Sequence, residues 1–97
     1  MISVTAICHV KAECVDEFLA ITKELVEKTN SLDKGCIKYD MWRNIDDPLH
    51  FVMLEQWESS SALDEHMKAE HFISLVPKLG NQTSKPIELT VLEKALP

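Results

Sequence analysis

Ninety-seven residues, 45% hydrophobic and 27% charged, bound one soluble globular domain over residues 1–97 with a small core. A formal net charge of −6, with the ten Lys and Arg dispersed, excludes phosphate-rich partners such as nucleic acid and anionic membrane. The three cysteines, Cys8, Cys14 and Cys36, show neither C-x-x-C spacing nor an even count, which argues against a disulfide framework or a zinc site.

The N-terminus, MISVTAICHV, has no basic leader region, and no apolar run approaches membrane-spanning length, so a reducing cytoplasmic location is expected. From Ile2 to Val10 the even positions are apolar, while Ser3, Thr5 and His9 are polar. That is the period of a strand with two different faces. Val15, Phe18, Leu19, Thr22, Leu25, Val26 and Thr29 then recur with helical spacing, and Glu24 and Lys28 form an i,i+4 pair on the outside. Gly35 ends the helix region and opens a second strand, Cys36 to Arg43, in which Ile37, Tyr39 and Met41 alternate with Lys38, Asp40 and Trp42.

The turn formers Asn44, Asp46, Asp47 and Pro48 return the chain as a third strand, His50 to Trp57. Ser59 to Ser61 offer N-caps for a helix to about Lys68, with Ser61 and Asp64 at capping-box spacing. A further helix runs from Glu70 toward Leu79, and Pro77 should kink or end it. Ile87, Leu89 and Val91 alternate with Glu88 and Thr90 as the last strand. The order β-α-β-β-α-β predicts an α+β, ferredoxin-like fold: a four-stranded antiparallel sheet with helices on one face. The opposite face is left bare, so a homodimer through it is expected.

With only Gly35 and Gly80, no G-x-G-x-x-G or Walker loop exists, and no dinucleotide or nucleotide cofactor is expected. His66 and His71 stand at i,i+5, about 140° away from a shared face on a continuous helix, so no metal site is expected unless a kink between them repairs the angle. On the third strand Glu55 shares a face with Phe51, Met53 and Trp57. A carboxylate among apolar side chains must reach solvent, pair with a cation or carry a raised pKa. His66 reads either as a structural histidine or as a proton carrier beside Trp57. Tyr39 and Arg43, on one face of the neighbouring strand, read either as binders of a phenolic oxygen or as cross-strand packing.

The E-x-W of Glu55 and Trp57, the polar turn after it, Ala62 and Leu63, His66, and the His71 and Phe72 pair resemble the antibiotic biosynthesis monooxygenase family, and within it the small bacterial quinol monooxygenases. The resemblance covers nearly the whole chain and implies a dimeric α/β-barrel homodimer. It also implies a cofactor-independent monooxygenase acting with O₂ on a hydroquinone-like or polyphenolic small molecule. On that reading His66 is the general base, Trp57 and Phe51 stack on the ring, Tyr39 supplies a hydrogen bond and Glu55 orients. Thr5, Arg43 and His71 complete the substrate contacts. Of the Asn, His and Trp of the haem-degrading branch only the Trp carries over, to Trp57, since Thr5 stands where the Asn is expected. Two alternatives stay open: an isomerase or lyase using the same base without O₂, and a dimeric binding module without catalysis.

Overall fold

The computed structural model describes residues 1–97. β1 (Ile2–His9) leads through a 3-10 turn, Ala12–Cys14, into α1 (Val15–Leu32), followed by β2 (Cys36–Arg43), β3 (His50–Trp57), α2 (Ser60–Lys68), α3 (Glu70–Gly80) and β4 (Glu88–Glu93). The strands form one sheet in the order β2-β3-β1-β4, every neighbour antiparallel, which is the ferredoxin-like α+β arrangement. No helix is long and apolar enough to cross a membrane.

The period-2 pattern decides which side chains meet the helices. On β3 the alternate residues Phe51, Met53, Glu55 and Trp57 are buried. Their partners lie opposite in register: Cys8 and Arg43 beside Phe51, Ala6 and Met41 beside Met53, Val4 and Tyr39 beside Glu55. Phe18, Thr22, Leu25 and Thr29 of α1 close over this face, joined by Leu75 and Leu79 of α3. Each large apolar side chain so buried contributes about 1.5–3 kcal/mol. Lys28 and Glu24 pair at 3.1 Å on the exposed side of α1.

Several details depart from the expectations. Ile37 does not alternate with Tyr39, because a bulge between Cys36 and Lys38 breaks the register and leaves Ile37 exposed. Of the serines offered as N-caps, Ser59 caps α2, its Oγ accepting the Ala62 N–H at 3.1 Å, so the Ser61–Asp64 spacing is not the capping box. Pro77 sits inside α3, which continues to Gly80. β4 is exposed along its whole length, because it forms the sheet edge beyond the helical cover.

Two local features place the site. Gly35 has φ +82°, which lets the chain turn from α1 into β2 directly beneath Ala62 of α2. Ala69, with extended backbone at φ −66° and ψ 146°, separates α2 from α3. That break is the kink that turns His66 and His71 toward one another.

Candidate active site

Glu55 is 7% exposed and sits mid-strand, between Tyr39 on β2 and Val4 on β1. Residues i and i+2 of a strand share a face, so Trp57 stands beside it and its Nε1–H donates to Glu55 Oε1 at 3.0 Å. Burial pushes the Glu55 carboxyl up to about 7, and the Trp57 hydrogen bond partly offsets that rise. Glu55 is therefore a group that changes charge near neutral pH.

It opens onto a cavity of about 230 Å³ between sheet and helices. Ala6, Met41 and Met53 form the floor, Leu25 of α1 and Phe72 and Val76 of α3 the roof, and Ile87 and Leu89 the rim. Tyr39 contributes the only other oxygen among the lining side chains. Its phenol is driven upward by burial, then by the charges of Glu55 and Asp33, so it stays a neutral hydroxyl. Cys8 also lines the cavity, but burial raises its thiol to about 11, so it offers no nucleophile. Cys36 reaches about 11 through burial and then the Asp33 charge.

His66 stands behind this wall. Its ring lies 4.5 Å from that of Trp57, 5.1 Å from Tyr39 and 5.0 Å from Phe72, centroid to centroid. Only 2% of the residue is exposed and it does not line the apolar cavity. Its Nδ1 is 2.5 Å from Asp33 Oδ2. Burial lowers the His66 pKa, against the Asp33 hydrogen bond and charge, which raise it; His71 adds to the lowering. The neutral tautomer that suits this environment donates Nδ1–H to Asp33, an assignment made from the acceptor present. His66 Nε2 is then buried without a partner. On the other side of the same carboxylate, His71 Nε2 lies 2.9 Å from Asp33 Oδ1.

The structure thus brings Glu55, Trp57, Tyr39, His66 and His71 into one region and leaves three expected contacts elsewhere. Thr5 belongs to the opposite sheet face, where it lines a shallow depression with Lys38, Asp40 and Trp42. Phe51 is 1% exposed and packs on Phe18 at 5.2 Å, a core residue rather than a stacking platform. Arg43 lies over the Phe51 ring at 5.0 Å, beside an outer groove rather than the cavity. Trp57 is wholly buried, so its indole holds Glu55 instead of forming the cavity surface. The residue that sequence reasoning missed is Asp33. It lies in a D-K-G turn that signals only the end of a helix, and its partner His66 is 33 positions away. Asp33, His66 and His71 are also the residues able to hold a metal ion, their donor atoms lying within 4.8 Å of one another.

Comparison with known proteins agrees with this architecture. The family model described as "Antibiotic biosynthesis monooxygenase" matches residues 1–78. "Putative monooxygenase YcnE" of Bacillus subtilis (strain 168) is 31% identical over 93 residues, spanning 96% of this chain and 97% of that protein. A conserved protein from Methanosarcina mazei Go1 superposes with a TM-score of 0.93 at 34% identity, covering 96% of this chain and 91% of that one. A crystallised antibiotic biosynthesis monooxygenase gives 0.92 at 36% identity, with both chains fully covered. With its fold, its E-x-W strand and these relatives in agreement, the chain belongs to the antibiotic biosynthesis monooxygenase family.

Proposed function

We propose that this protein is a monooxygenase that oxidises a hydroquinone-like or polyphenolic ring with O₂, without a bound cofactor, and that Glu55 takes the phenolic proton. The observation that carries the reading is a lone carboxyl of pKa about 7 facing an apolar cavity of about 230 Å³. A base works best when its pKa lies near the operating pH, and here burial achieves that. Moving a proton from a phenol of pKa about 10 to a carboxylate near 7 costs about 4 kcal/mol, which a neighbouring donor to the phenolate reduces. Tyr39, held neutral, is that donor.

The hydroquinone anion passes one electron to O₂. Radical recombination at a ring carbon gives a peroxide anion, which takes back the proton held by Glu55 to become the hydroperoxide. Loss of water leaves a carbonyl. For the simplest ring, hydroquinone plus O₂ gives hydroxyquinone plus water, with one oxygen atom in each product. His66, neutral and braced by Asp33, supports Trp57 and Tyr39 from behind rather than acting as the base. The family assignment and a relative whose name carries monooxygenase activity support this class of reaction. The reading includes a homodimer through the bare sheet face, where Trp42, Leu54 and Leu92 are 57%, 42% and 46% exposed.

The test is O₂ consumption by the purified protein over a panel of reduced quinols and polyphenols, repeated without oxygen. Turnover that requires O₂ supports the proposal. Isomerised product formed without O₂ replaces it with an isomerase, and saturable binding without turnover replaces it with a binding module.

A further inference from the structure

Outside the cavity, three helix-end elements bring two imidazoles and one carboxylate to a point. Asp33 comes from the turn after α1, His66 from the last turn of α2 and His71 from the first turn of α3. Their side chains are 8%, 1% and 7% exposed, so water does little for them. One carboxylate faces two ring nitrogens, at 2.5 Å and 2.9 Å. The first contact is a hydrogen bond. The second lies at ion-pair distance without hydrogen-bond geometry, so His71 Nε2 is a buried nitrogen that makes no hydrogen bond. A buried polar atom without a partner is costly, and this one is aimed at a carboxylate already engaged by another histidine.

We propose that Asp33, His66 and His71 form a binding site for a divalent transition-metal ion of the zinc class. Two imidazole nitrogens and a carboxylate oxygen suit that class, whereas calcium and magnesium prefer all-oxygen shells. An ion with ligands at about 2.0–2.2 Å sets tetrahedral donors about 3.4 Å apart. The donors here, one per residue, lie within 4.8 Å of one another, so bringing every pair to that spacing takes relative shifts of up to about 1.4 Å, the His66–Asp33 contact opening and the widest pair closing. The ion would give the buried His71 Nε2 the directional bond it lacks and join the ends of three helices.

A surface groove of about 600 Å³, lined by Asp33 and His66 together with Glu58, Glu65, Lys34 and Lys68, adjoins the cluster. The site lies across Trp57 and Tyr39 from the apolar cavity, and its occupancy is measured without turnover. It therefore stands or falls apart from the oxidation proposed above.

The experiment uses the full chain, stripped with a chelator and titrated separately with Zn²⁺ and Co²⁺. The result expected is one ion per chain, a rise in melting temperature with Zn²⁺, and the visible absorption of four-coordinate Co²⁺. His71→Gln and Asp33→Asn, each checked for native circular dichroism, should weaken binding by more than the roughly 10- to 100-fold that follows from losing an outer-shell partner. A variant lacking the other two histidines, the half-buried pair His9→Ala with His50→Ala, should bind as wild type. Absence of saturable binding overturns the proposal. So does binding that survives His71→Gln or disappears with His9 and His50. Should Asp33→Asn fail to fold, His71→Gln and the Co²⁺ spectrum decide the matter alone.

Discussion

The Trp57 indole N–H donates to Glu55 Oε1 at 3.0 Å inside a region neither residue shares appreciably with solvent. This bond favours the ionised carboxylate, while burial favours the neutral acid, and burial wins. Trp57→Phe removes the donor and keeps most of the bulk. The midpoint of the rate against pH should therefore move above about 7. An unchanged midpoint would show that the indole does not tune Glu55.

The same burial has a consequence for stability. The folded protein holds the Glu55 proton up to about 7, whereas an ordinary carboxyl releases it near 4.5. Between those values the native state binds more protons than the unfolded state, so stability falls as pH rises through that window. The cost above pH 7 is on the order of 3 kcal/mol. Glu55→Gln should remove this pH dependence and be more stable than wild type at pH 8 by urea unfolding. Equal slopes for both proteins between pH 4.5 and 7 would contradict the assignment.

Gly35 joins α1 to β2 and positions Asp33 two residues earlier. A Cβ added there would lie 2.6 Å from the Ala62 Cβ, at a φ of +82° that non-glycine residues disfavour. Gly35→Ala should cost about 1–3 kcal/mol through strain plus crowding. Adding Ala62→Gly should recover the crowding part only. Full recovery by the double variant would show that φ carries no cost.

Association through the bare sheet face predicts a sedimenting mass of about twice the 11.0 kDa chain. That face mixes the exposed Trp42, Leu54 and Leu92 with polar Thr5, Lys38 and Asp40. Trp42→Glu with Leu54→Glu should give a folded monomer. A wild-type monomer at micromolar concentration would contradict the interface.

What could be read from the sequence follows from the range of the forces involved. β3 was legible to the residue, because alternating Phe51, Met53, Glu55 and Trp57 reveal their common face by period alone. The odd carboxylate in that row was equally visible. Three features were not. The boundary between a helix ending near Lys68 and another starting at Glu70 was legible, but the angle at Ala69 that turns His66 toward His71 was not. Asp33 meets His66 only through tertiary packing. Which apolar side chains line a cavity and which fill the core depends on where helices stop covering the sheet, and that moved Phe51 and Trp57 from pocket wall to core.

The central claim is that Glu55 is the proton acceptor for an O₂-dependent oxidation, and the most direct measurement is quinol-driven O₂ uptake across pH 5 to 9 by wild type and Glu55→Gln. Wild-type kcat/KM should rise as pH passes about 7, because the base must be ionised, and Glu55→Gln should lose roughly 10²-fold or more, with that rise gone. A Glu55→Gln protein that keeps wild-type uptake and the same pH profile would contradict the account.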